Sequence, residues 1–414
     1  MGPLRHRDFR LLWIGWVLGA TASWVHQVVS LWLILELTDS ALMLGLSGVF
    51  MSAPFLITSL YGGALADRID RRKLLVVSQG IATLLAVIPG VLSALDVIKV
   101  WHIYALSSLS WTVAAFDAPA RQALIPSLIP QKDLMSAIAL TSVIRRGTAL
   151  VGPMMGGLSI TAVGVSGAFF LHAIINGVVL VTLLGMKPQK DEIRPRHTSM
   201  ARSILEGLHL MRTNRLIFSI LSIEAAHTLL VSYQQLMPIF ARDILKIGPT
   251  GLGLLYSAPG VGAVLGSVFL VRVGDIPKKG RVLFITALLQ PVTVFLFGIS
   301  PWIATSMLML MFSGLLDVVG GTVRNTVLQL LTREEMRGRV MGMNMMVHRG
   351  LGPLSGLPSG ALATLMGAPL AISTGVTLFL VYAVSLFLRI PELHRYPEGE
   401  PLPTSSQAPS SAPP

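Results

Sequence analysis

Of the 414 residues, 53% are hydrophobic and only 13% charged, with a mean hydropathy of +0.70, which excludes a chain whose main solvent is water. The net charge of +12 does not mark a nucleic-acid-binding protein, because the basic residues sit in turns between apolar runs and build no separate basic domain; lipid headgroups are the expected counterions. The absence of cysteine excludes disulfides, thiolate metal sites and a cysteine nucleophile.

Apolar runs of about 18 to 25 residues recur along the chain, long enough for a helix to cross about 30 Å of hydrocarbon while satisfying its own backbone. They predict an all-α membrane protein of about twelve transmembrane helices, at 9–37, 43–66, 73–95, 99–118, 134–164, 166–186, 216–240, 249–272, 281–299, 302–330, 338–366 and 369–389. The first run is too long for a signal-peptide core and shows no clear cleavage site. Lys and Arg cluster at Arg5–Arg10, at Arg68–Lys73, from Lys187 to Arg215, at Arg272–Arg281 and at Arg333–Arg339. These fall on alternate connections, so both termini are expected in the cytoplasm. The Pro- and Ser-rich tail at 391–414 is expected to be disordered.

A faint internal repeat appears at an offset of about 203 residues: Arg146-Gly147 matches Arg349-Gly350, Arg121 matches Arg324 and Gly63 matches Gly266. At an offset of about 200, Gly152-Pro153 and Gly156 meet Gly352-Pro353 and Gly356. The matches predict two pseudo-symmetric six-helix bundles, 1–186 and 216–390, joined by a cytoplasmic linker at 187–215. Two such halves around a midplane cavity permit alternating access.

The connection after the second run reads Gly63-Ala64-Leu65-Ala66-Asp67-Arg68-Ile69-Asp70-Arg71-Arg72-Lys73. It resembles the signature G-x-L-A-D-R-x-G-R-R/K of the major facilitator superfamily, with Gly63, Leu65, Asp67, Arg68, Arg71 and Arg72 on the pattern and Asp70 where the second glycine stands. The resemblance implies a cytoplasmic gate latch, which Asp117 joins from the end of the fourth helix; the plain reading is a basic turn that fixes topology. In the fifth run, Gly152-Pro153-Met154-Met155-Gly156-Gly157 resembles the G-P-x-x-G-G core of superfamily antiporters, with Thr148 where the longer motif has glycine. That implies export; the plain reading is a kinked packing face. Next to the fourth run, Pro119-Ala120-Arg121-Gln122-Ala123-Leu124-Ile125-Pro126 reads as a proline-broken turn that places Arg121 near the membrane surface. With Arg337-Gly338-Arg339-Val340-Met341 it resembles the enterobactin-exporter and macrolide-efflux branch.

An ionisable side chain at membrane depth costs at least about 2.5 kcal/mol unless it faces a cavity or a partner. Glu224 and His227 stand one turn apart on the seventh helix and share a face, which makes them, with Asp317, the candidate proton-coupling site. The competing reading of Glu224 is a salt bridge near the cytoplasmic mouth. His26, Gln27, Gln234 and Gln235 are candidate cargo contacts or interhelical hydrogen bonds, and Arg146 and Arg349 either attract an anionic cargo or brace the halves. Asp317 and Arg324 lie seven residues apart, too far for a direct bond, so each is expected to have another partner.

No zinc-protease, nucleophile-elbow or nucleotide-loop motif is present, so neither an enzyme nor an ATP-driven pump is expected, and no cofactor. The expectation is a secondary transporter of the cell inner membrane that exports a drug-like amphiphile in exchange for protons. An exporter of an anionic siderophore or metabolite and a non-transporting receptor are the alternatives. The expected partners are the small-molecule substrate, protons and the lipid bilayer, and the family resemblance implies a monomer.

Overall fold

The computed structural model describes residues 2–66, 70–187, 214–274, 276–332 and 334–390, and among them every regular element is helical. In chain order these are α1 (Arg7–Thr38), α2 (Ala41–Ala66), α3 (Arg71–Ala94) and α4 (Val100–Leu128). The stretch Leu134–Leu184 is helical except at Gly164, where the chain reverses to give α5 (134–163) and α6 (165–184). Next come α7 (Arg215–Ile244), which loses its helical pattern at 231–233, then α8 (Gly248–Val273), α9 (Lys279–Ile299) and α10 (Ile303–Leu331). α11 covers 337–366 with a π-helical turn at Val347–Leu351, and α12 is Ala368–Arg389.

Nine candidate membrane spans are found among the described residues by length and composition, and Gln131–Leu184 is one of them, at double length. The hairpin at Gly164, the charge-bearing α4 and the interrupted α11 bring the passes to twelve. Large apolar side chains such as Leu84, Val271, Leu365 and Leu388 stand exposed on the outer faces, where a bilayer would cover them, and exposed Trp101 and Trp302 mark the starts of α4 and α10.

One expected boundary moves. The fourth run was expected to end at residue 118, yet α4 continues through Pro119 and Pro126 to Leu128. Proline breaks a helix in water, but within a helical bundle neighbouring groups re-satisfy the freed carbonyls. Arg121 is consequently a buried side chain, 3% exposed, and not a surface turn residue.

The repeat is visible in the backbone. Gly164 has φ 72° and ψ 177°, and Gly367, 203 positions later, has φ 84° and ψ 158°; both lie where only glycine is comfortable. Each forms the reversal between the last two helices of its half. Gly164→Ala or Gly367→Ala is expected to cost about 1–3 kcal/mol, read as a lower melting temperature in detergent or lipid; an unchanged melt would show that the reversal tolerates a β-carbon.

Within the first half, α1 packs on the α5–α6 hairpin and α3 and α4 pack on each other; within the second, α10 packs on α8 and α9, and α12 on α9 and α11. The halves meet along two seams, α5 with α8 and α2 with α11. A β-carbon at Gly253 of α8 would stand 2.7 Å from the Pro153 carbonyl oxygen of α5, and Gly48 of α2 faces the Pro353 carbonyl of α11 in the same manner. Gly157 packs on Pro249 and Gly253, while Gly45 and Gly360 approach so closely that a β-carbon at Gly360 would lie 3.0 Å from the Gly45 Cα. The Gly-Pro-x-x-Gly repeats thus place backbone against backbone in both seams. At the end of the molecule carrying the α1–α2 and α7–α8 connections, Arg242 ion-pairs with Asp39 across the halves and donates to the Leu35 carbonyl at 3.3 Å.

Candidate functional site

Glu224, in the first helical stretch of α7 (Arg215–Leu230), is 3% exposed, and a carboxylate so placed needs a counter-charge. Arg324 of α10 supplies it as an ion pair, and His348 of α11 sets its Nε2 2.9 Å from the second carboxylate oxygen. The same Nε2 lies 3.0 Å from Arg324 Nη2. A bare Nε2 accepts from the guanidinium, whereas a protonated one donates to the carboxylate, so a single proton decides which partner His348 serves. His348 sits in the π-helical turn Val347–Leu351, just ahead of Pro353, whose ring is incompatible with the carbonyl one turn earlier and favours such a widened turn. Its side chain is 42% exposed against 4% for Glu224, so the cluster runs from open space to the buried carboxylate.

Beside it lies a cavity of about 50 Å³, lined by Glu224 and His227 of α7, Gln290 of α9, Asp317 and Arg324 of α10, and Phe379 of α12. That is room for a few water molecules. His227 meets Gln290 Oε1 at 2.5 Å, and Gln290 Nε2 donates to Ser313 Oγ at 2.9 Å. The structure therefore brings Glu224, His227 and Asp317 around one cavity, but the direct contacts of Glu224 are with Arg324 and His348. Arg324 and Asp317 do not pair; Arg324 finds the other partner expected of it across on α7, whereas Asp317, for which another partner was also expected, makes no ion pair among the described residues.

The candidate cargo residues separate. His26 and Gln27 of α1 line a second, smaller cavity of about 20 Å³ with Ser30, Ser47 and Ser107. The His26 ring lies against that of His172, 4.9 Å between centroids and tilted by 32°. Gln235 is buried and accepts from Ser232 Oγ, which is linked to Ser355 of α11, so it belongs to an interhelical hydrogen-bond network. Gln234 is exposed, and its carbonyl accepts from Tyr256 at 2.5 Å. Arg146 is half-buried in α5, whereas the side chain of Arg349 lies outside the described residues.

Of the gate-motif residues, Asp67 and Arg68 lie outside the described residues, and Gly63 falls in the last turns of α2. Arg71 donates to the Ala123 carbonyl of α4 at 3.4 Å and Arg72 to the Leu184 carbonyl of α6 at 3.0 Å, which ties the start of α3 to the ends of two neighbours. Asp70, in place of the signature's glycine, caps α3 by accepting from the Lys73 amide at 2.9 Å with φ −51°; a negative φ leaves glycine unnecessary. Asp117 accepts from Arg121 of its own helix at 2.5 Å, and Arg121 also reaches Gln79 of α3, which in turn holds Asn176 of α6. Of the antiporter-like residues, Gly152 lies against Trp24, Gly156 against Val25 and Val28, and Pro153 and Gly157 in the seam with α8.

Sequence reasoning left His348 and Gln290 out of the site. For His348 the signal was its position beside the repeat-matched Arg349-Gly350; nothing local marked Gln290.

A family model described as a transmembrane secretion effector matches residues 1–404. The enterobactin exporter EntS of Shigella boydii serotype 18 (strain CDC 3083-94 / BS512) is 25% identical over 372 residues, covering 90% of this chain and 89% of its own. EntS of Escherichia coli O81 (strain ED1a) matches with the same identity and coverage. Among solved structures, a bacterial homolog of the human lysosomal transporter Spinster, inward-facing and unoccupied, superposes with a TM-score of 0.71 at 15% identity, over 97% of this chain and 100% of that one. A peptide-transporter (POT) family member in complex with 5-aminolevulinic acid gives 0.72 at 12% identity, over 94% and 96%.

Proposed function

Since the chain belongs to the transmembrane secretion effector family of the major facilitator superfamily, and so is a multi-pass membrane transporter and not an enzyme, we propose that it exports a drug-like amphiphile in exchange for protons. The halves 1–186 and 216–390 would rock about their two glycine seams, in the cell inner membrane and with both termini in the cytoplasm. The observation that carries the exchange is the cluster of Glu224, Arg324 and His348: a buried carboxylate reached from open space through an imidazole. A proton taken up by His348 at Nε2 turns it from the guanidinium to the carboxylate, and its transfer to Glu224 leaves a neutral acid beside a freed Arg324. That changes the charge linking α7, α10 and α11, three helices of the second half, and so the internal packing of one of the two bodies that rock. The contacts of Arg71 and Arg72 with α4 and α6 support the latch reading of the loop after α2.

A second reading, export of an anionic siderophore, is favoured by the names of the enterobactin exporters among the relatives. Both readings are tested by following internal pH in proteoliposomes under an imposed gradient, challenged in turn with lipophilic cations, macrolides and catecholate siderophores. Proton flux set off by the first two classes, and lost in Glu224→Gln, is the expected result. Flux with siderophores alone would transfer the cargo assignment to the second reading, and no flux with any of them would sink proton exchange.

A further inference from the structure

Asp317 stands apart in the second-half cavity. It lies mid-way along α10, on the cavity wall and exposed to it, with no ion pair among the described residues. An acid at membrane depth without a cation is costly, and one that faces a cavity marks a ligand or ion pathway. Every nearby charged or titratable group has another engagement. Glu224 and His348 share Arg324, His227 is held by Gln290, and the Tyr233 hydroxyl of α7 lies near Ser313. From α8, Tyr256 is tied to the Gln234 carbonyl, and α9 and α12 line the space with uncharged groups only, Leu283, Thr286, Ala287, Gln290 and Phe379. Two carboxylates thus face one guanidinium, and the uncompensated charge is that of Asp317.

We propose that Asp317 is the residue that recognises cargo, and that the group it takes is an ammonium head, primary or quaternary, seated against the Asp317 carboxylate with the rest of the molecule extending out of the cavity. This rests on the exporter reading and narrows its cargo to organic cations.

The test is equilibrium binding to the full chain in lipid nanodiscs, without a gradient, using benzyltrimethylammonium and benzoate, which share a ring and differ in charge. The expected result is saturable binding of the cation, at least about tenfold tighter than benzoate, a difference of about 1.4 kcal/mol. Asp317→Asn should weaken cation binding by about tenfold or more, while Asp317→Glu keeps it. Melting temperatures of the two variants serve as the folding control. Benzoate bound as well as or better than the cation, cation binding indifferent to Asp317→Asn, or binding of neither probe by protein of unchanged melting temperature would each overturn the assignment. Binding that depends on Asp317 without any proton flux in liposomes would leave the cation site standing and remove proton exchange, so the two failures are separable.

Discussion

Arg324→Leu is expected to destabilise the protein by about 3–5 kcal/mol, because it removes one partner of a buried ion pair and leaves the other charged. The Arg324 side chain is 13% exposed and that of Glu224 4%, so the few waters the adjoining cavity can hold replace the lost guanidinium poorly. His348 is the one remaining contact for the carboxylate in the cluster, and it compensates only when protonated. Arg324→Leu combined with Glu224→Gln should recover most of the loss, since a neutral pair of similar volume in such a site is often close to neutral in stability. Thermal melts of the two single variants and the double in the same lipid would give the coupling. A single-variant loss below about 1 kcal/mol, the range of an exposed pair, would mean that the pair is solvated.

The second large effect concerns motion. Gly253→Leu and Gly48→Leu each drive a side chain into a proline carbonyl of the opposite half. Overpacking of that kind costs about 1–3 kcal/mol, and it is suffered only while the seam is closed. A strain of about 2 kcal/mol shifts a two-state equilibrium roughly thirtyfold toward the form in which the seam is parted. The sequence contains no cysteine, so spin labels attach only where cysteines are introduced. Leu37→Cys with Lys246→Cys reports the separation of the two halves at the Arg242–Asp39 end, both positions being exposed. The expected outcome is a longer label distance in either glycine variant, of similar size because the seams are related by the repeat. Distances identical to the parent in both would mean that the seams are not where the halves part.

Much of the fold was legible because the bilayer imposes it: helix number, approximate spans and the two-half repeat follow from apolar runs and from glycine and proline at matched positions. The end of α4 was misread because proline was weighed as it acts in water, whereas Pro119 and Pro126 lie inside a bundle that absorbs the broken hydrogen bonds. The site was half legible. Burial cost identified Glu224 and predicted that Asp317 and Arg324 would not satisfy each other, but nothing local identifies a partner 100 positions away, and the ion pair with Arg324 is set by how α7 and α10 are packed. Likewise His227 shares a face with Glu224 yet bonds to Gln290 of α9, because a shared face allows two side chains to meet without obliging them to.

The glycine seams have a thermal consequence. Glycine, alanine and proline have no rotamers to lose, whereas each long side chain ordered at an interface gives up about 1.5–2 kcal/mol of conformational entropy. At their tightest contacts, Gly45 with Gly360, Gly48 with Pro353 and Gly157 with Gly253, the halves close on surfaces that are already ordered. Re-forming them demands no search among side-chain states, so the waiting time for closure should be set by the rigid-body motion of the halves and depend little on the entropy of the surfaces that meet.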